Sequence, residues 1–114
     1  MIELIIKDIL ESALDVPVLL ELPDFGTTRR ENFVFFERTG SARRNHINES
    51  TVAFQSYGKS LYEAAALNER VKAAMDAAGE TDSRIFSARL DSDYPFNDTE
   101  NHRYRYQAVY QITF

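Results

Sequence analysis

Two histidines, His46 and His102, are the side chains here whose ordinary pKa would let them move protons near neutral pH. Each lies near hydroxyls and carboxylates in the chain. A Ser-His-Asp arrangement, however, is defined by geometry and not by sequence proximity. No G-x-S-x-G elbow, phosphate-binding P-loop or G-x-G-x-x-G turn accompanies them. Cysteine is absent, which removes disulfides, thiolate metal sites and thiol nucleophiles. Asp91, Asp93, Asn97, Asp98 and Glu100 together resemble a calcium-binding loop. Such a loop needs a central glycine and a closing glutamate at fixed spacing, and Tyr94-Pro95-Phe96 stands where the glycine should be. These carboxylates therefore read as a solvated turn, or as an acidic surface that faces a basic neighbour. Arg29 and Arg30, and again Arg43 and Arg44, are paired arginines in polar stretches. They could grip phosphates, but the chain carries a net charge of −5, which duplex DNA would repel on average. Ion pairs with protein carboxylates suit them better. Arg43, Arg44, Asn45 and His46 fall within residues 39–50, read here as a polar loop between two apolar runs.

The elements that must hold these groups follow from periodicity. Ile2, Ile5, Ile6, Ile9, Leu10 and Ala13 recur at helical spacing, with Glu3, Lys7 and Glu11 opposite, so an amphipathic helix is expected to end near Asp15, ahead of Pro17. VPVLLEL, residues 16–22, reads as a strand, and Pro17 places it at a strand start or sheet edge. NFVFFER, residues 32–38, is an aromatic strand with both faces covered. TVAFQSY, residues 51–57, is a third strand that Gly58 breaks. Ser60 and Glu63 match a capping box, and the helix they open is expected to bury Ala64, Leu67, Val71, Ala74, Met75 and Ala78 and to stop at Gly79. IFSARL, around residues 84–90, is a fourth strand, followed by an acidic connection. In HRYRYQAVYQITF, Tyr104, Tyr106, Ala108, Tyr110, Ile112 and Phe114 alternate with mostly polar residues, the cleanest period of two in the chain. This tyrosine stripe could stack bases, but strict alternation more often marks core or interface. The order α-β-β-β-α-β-β favours an α+β domain, with a mainly antiparallel sheet of about five strands and two helices on one face.

The 114 residues, 44% hydrophobic and 27% charged, suit one domain spanning residues 1–114, with a real core and neither disorder nor a membrane span. The start, MIELIIKDILESAL, has charges within its apolar run, so no signal peptide is expected.

DVPVLLELP, FVFFERTGS with RRNHI, TVAFQSYGKSLYEAAALNERVKAAM and the closing RYRYQAVYQITF occur in an order that resembles the small tail-terminator, or tail-completion, proteins of long-tailed bacteriophages and prophages. The resemblance spans essentially the whole chain and rests on structural residues, with no catalytic signature. It implies a non-enzymatic virion protein with no cofactor, assembled in the host cytoplasm. Such a protein forms a ring, usually hexameric, on the last ring of the tail tube. It ends tube growth and offers a joining surface to the head-side connector protein. Its partners would be copies of itself, the tube protein and the connector, with DNA only as passing cargo and no membrane. Residues 39–50 would then be an assembly arm, with Arg43 and Arg44 pairing with acids such as those between Asp91 and Glu100 of a neighbour. A different neck or head–tail connector subunit is the alternative within the same class. A small enzyme using either histidine, a nucleic-acid-binding module and a small non-catalytic binding module are the alternatives outside it.

Overall fold

A computed structural model describes residues 1–25 and 31–114. Its elements are α1 (Ile2–Ala13), β1 (Val18–Leu19), β2 (Phe33–Arg44), β3 (Ile47–Gly58), α2 (Leu61–Asp76), α3 (Ala78–Thr81), β4 (Ser87–Pro95) and β5 (Tyr104–Thr113). The strands form one sheet in the order β1-β2-β3-β5-β4. The β1–β2 pair is parallel and the other three pairs are antiparallel. The expected α+β architecture is therefore present, with α3 as a one-turn addition.

The core lies between the sheet and its helices. Ile2, Ile6, Ile9 and Leu10 of α1 meet Val34, Phe36, Val52, Phe54, Ala108, Tyr110 and Ile112 of the sheet, and Leu67, Val71 and Met75 of α2 complete the layer. The helix stripes are close to those read from periodicity, although Ala13 is exposed and Ala74 only half-buried. A smaller cluster of Phe33, Phe35 and Tyr57, with Leu19 and Phe25, occupies the opposite face. Phe33 and Tyr57 stack there with centroids 4.5 Å apart. Both faces of β2 are covered, as its continuous aromatic run implied. Further along, this second face is polar: Gln55 donates to Gln107 at 3.0 Å and Thr51 donates to Gln111 at 2.9 Å across the β3–β5 pair.

Four local expectations change. Residues 39–50 are not a loop: β2 and β3 each run 12 residues, and pairing continues to Arg44 and Ile47. β1 is only two residues long, and Leu20 and Leu22 are exposed. Pro17 has no N–H to extend the ladder, and only its carbonyl is used, accepting from the Val34 N–H at 2.9 Å. β4 begins and ends later than the apolar run suggested: Ile85 is buried ahead of the strand, and the charged residues Arg89, Asp91 and Asp93 lie within it. Gly79 does not end α2 in a left-handed conformation, since no described glycine has positive φ. It sits in α3, where an added Cβ would come 3.3 Å from the Phe86 carbonyl oxygen.

Gly58 has a clearer reason to be glycine. A Cβ there would lie 2.3 Å from the Ala64 nitrogen and 2.8 Å from its Cα. The end of β3 thus passes directly beneath the first turn of α2. Ser60 caps that turn, its hydroxyl oxygen accepting from the Glu63 N–H at 3.1 Å. Close passage and cap together fix how α2 leaves the sheet.

Candidate interaction surface

The longest projection of the molecule is the β2–β3 hairpin. Its turn is the two residues Asn45 and His46, with φ of 48° and 67°. Two consecutive left-handed residues give the turn a twist that matches the flanking strands, and asparagine tolerates that conformation best after glycine. β5 supports the hairpin from one side as far as Asn48, which exchanges backbone hydrogen bonds with Phe114 at 3.2 and 2.9 Å. On the other side β1 reaches only Val34 and Phe35. The tip residues 43–47 are all exposed. Arg43 and Arg44 have no ion pair among the described residues. Two desolvation-tolerant cations and a histidine therefore stand at the end of a ribbon stiffened by backbone pairing.

The acidic residues lie elsewhere, and the structure separates them into engaged and open groups. Asp93 contacts the Lys72 ammonium and accepts from Asn68 Nδ2 at 3.3 Å. Hydrogen bonds to Asp93, and then to Glu69, push the Lys72 pKa up, so it stays charged. Asp98 is buried in the turn between β4 and β5. Its carboxylate accepts from Asn101 through the backbone N–H at 3.3 Å and through Nδ2 at 2.9 Å, and its backbone forms a bridge with Arg103. Burial pushes the Asp98 pKa upward, but the Asn101 hydrogen bonds and the Arg105 charge outweigh it and leave the pKa lowered. Asp98 is thus a structural residue of its own turn. Asp91 and Glu100 are exposed, with Asp91 at the irregularity between Leu90 and Ser92. Arg29 and Arg30 lie outside the described residues.

Arg105 holds the same end of the sheet together. Its Nε donates to the Phe96 carbonyl at 2.6 Å and its guanidinium donates to the Tyr57 hydroxyl at 3.0 Å. The guanidinium also lies 4.3 Å from the Phe96 ring centroid. Burial pushes the Tyr57 pKa up, which keeps the phenol protonated as a structural group.

The two histidines sit at opposite ends of the molecule, His46 at the hairpin tip and His102 in the turn ahead of β5, and both are exposed. Among the described residues, no cluster of three or more His, Asp or Glu has the placement to hold a metal ion. No described helix is long and apolar enough to cross a membrane.

One concave feature went unnoticed in the sequence. A groove of about 660 Å³ runs between the outer flank of α2 and β4. Tyr62, Ala65 and Ala66 form one wall, and Tyr94, Pro95 and Tyr106 form the other. Tyr62 is 81% exposed, unusual for so large a ring. Asn68, Glu69, Arg70, Lys72 and Asp93 also line the groove, with Arg70 ion-paired to Asp15 at 2.8 Å. Asn68 is 2% exposed, and its Oδ1 accepts no hydrogen bond among the described residues. The tyrosines and acids were visible in the sequence, but only the crossing of α2 over β5 towards β4 brings them together. No protein-family model matches the chain, and no curated protein matches it in sequence.

Proposed function

We propose that this chain is a non-enzymatic virion assembly protein that caps the tail tube of a long-tailed phage, ends its polymerisation and joins the tail to the head-side connector. It acts as a ring of identical subunits, six by the resemblance of its sequence to tail terminators. The observation that carries this reading is the projecting β2–β3 arm, whose tip presents Arg43 and Arg44, without an ion pair among the described residues, well away from a self-sufficient two-layer core.

A tube of stacked identical rings grows through a head-to-tail contact that does not close on itself. A terminator must match one face of that contact and withhold the other. A stiff arm on one end of a compact body, with different chemistry at the opposite end, provides that asymmetry. The acidic balance of the subunit also suits a channel through which DNA slides without adhering. Service as a different neck or head–tail connector subunit remains the second reading, because it asks for the same ring-forming surfaces.

Pull-down with purified tail tubes and with the portal-side adaptor separates the two. Terminator function predicts retention on tubes and, by electron microscopy, density at one tube end only. Retention on the adaptor alone would assign the chain to the connector, and retention on neither would end both readings.

A further inference from the structure

We propose that the groove between α2 and β4 is the receptor for the arginine-bearing hairpin tip of a second copy of this chain. The inference rests on the assembly reading above and names the contact that would link its subunits.

The groove has what an arginine-bearing tip lacks. Guanidinium groups stack on aromatic faces and donate in a planar fork to carboxylates and carbonyl oxygens. Tyr62 and Tyr94 supply the faces, Glu69 and Asp93 supply carboxylates, and Asn68 Oδ1 is a buried acceptor without a donor. The Asn68 amide is oriented by its other end, because Nδ2 already donates to Asp93. A buried carbonyl oxygen left unpaired is unfavourable, so a docked donor removes that cost as well as adding an attraction. Lys72 bridges two carboxylates and offsets only one of them, and the charge of Arg70, which also lines the groove, is met by Asp15 at 2.8 Å, so one carboxylate charge is left for a cation.

The tip cannot reach the groove of its own chain. The groove lies level with Tyr106 and Pro95, which pair with each other, and Tyr106 pairs with Ser56. Ser56 lies nine residue steps along β3 from Ile47 at the tip, roughly 30 Å along an extended strand. The tip and its receptor thus sit at opposite ends of a body whose longest dimension is 44 Å. A contact between unlike surfaces of identical chains is heterologous, and it propagates into a ring when the rotation closes.

The absence of native cysteine makes the test direct. Ile47→Cys places a thiol at the tip and keeps both arginines. Ala66→Cys places one on the exposed groove wall, and Ser12→Cys on α1 serves as the control. Mixed under oxidising conditions, alone and with tail tubes present, the I47C and A66C chains should form several-fold more disulfide-linked heterodimer than I47C with S12C, since bridging requires Cα atoms within roughly 7 Å. Equal yields, or none in either condition, would overturn the proposal. Asn68→Leu should lower the trapped yield while leaving the fold as stable or more so, and an unchanged yield would remove Asn68 from the contact. Rings on tubes without the trapped pair would refute this interface and keep the proposed function. A trapped pair on a protein that never caps tubes would do the reverse.

Discussion

Gly58→Ala offers a sharp test of how α2 is set on the sheet, and so of how the groove is built. The added Cβ would stand 2.3 Å from the Ala64 nitrogen, against the 3.4 Å or more of ordinary contact, and 2.8 Å from both Ala64 Cα and the Glu63 carbonyl carbon. All three neighbours are backbone atoms, so no side chain can swing aside. Relief needs the first turn of α2 to lift by about 1 Å, which breaks close packing of Leu67 and Val71 on β3 and β5. Overpacking of this kind costs about 1–3 kcal/mol, occasionally more, and backbone contacts place it at the upper end. At about 4 °C per kcal/mol for a domain of this size, Tm should fall by about 12 °C. Gly40→Ala is the internal control, because its nearest neighbour atom would be the Thr51 side-chain oxygen at 3.8 Å. That substitution should change stability by no more than about 0.5 kcal/mol, as expected away from crowded sites. Urea titration of both variants with unchanged slope measures the difference. A Gly58→Ala loss as small as that of Gly40→Ala would refute the reasoning.

Other substitutions probe other parts of the same frame. Val71→Asp, at a fully buried position of α2, should unfold the domain or cost more than about 3 kcal/mol, read by circular dichroism and denaturant titration. His46→Gly should stabilise the hairpin by up to about 1 kcal/mol, because relief of the left-handed conformation at φ of 67°, worth about 1–2 kcal/mol, exceeds the extra chain entropy of glycine, about 0.5–1 kcal/mol, and a loss of stability would show that the histidine holds the tip. Asp98 and Asp82 have folded pKa values below their ordinary ones, so their contribution to stability is complete above the unfolded value near 4. It fades as pH falls, down through about 2 for Asp82, which hydrogen bonds from Arg84 hold there. Asp98→Asn should flatten the acid limb of a stability–pH curve, and an unaltered limb would contradict its placement.

The strongly periodic segments were legible. The α1 and α2 stripes, the aromatic β2 and the alternation of Ala108, Tyr110 and Ile112 each bury a continuous face, and burial is what writes a period into a sequence. Ser60 was readable as a cap because its role is local. The distal hairpin was not, since TGSARRNHINES buries almost nothing and its pairing is carried by backbone hydrogen bonds that any residue can make. Its one signal was Asn45, a residue suited to a left-handed turn. β4 was displaced for a similar reason: it is an edge strand whose charged residues face solvent or Lys72, while the apolar Ile85 lies before it. The pairing of Arg43 and Arg44 with acids of a neighbour was a reasonable expectation from charge alone. The engagement of Asp98 by Asn101 is local turn chemistry three residues along the chain, whereas that of Asp93 depends on the reach of Lys72 from α2, which no spacing expresses. The groove joins residues of α2 with residues of β4 and β5 more than 20 positions away, and it depends on a helix crossing that one sequence does not encode visibly.

The length distribution of tail tubes, measured by electron microscopy, tests the central claim most directly. Particles assembled with the native chain should carry tubes of uniform length joined to heads. Particles lacking the chain, or carrying Arg43→Glu with Arg44→Glu in a protein of native stability, should give unjoined tubes of uncontrolled length. Uniform, joined tails in the absence of the chain would contradict the account.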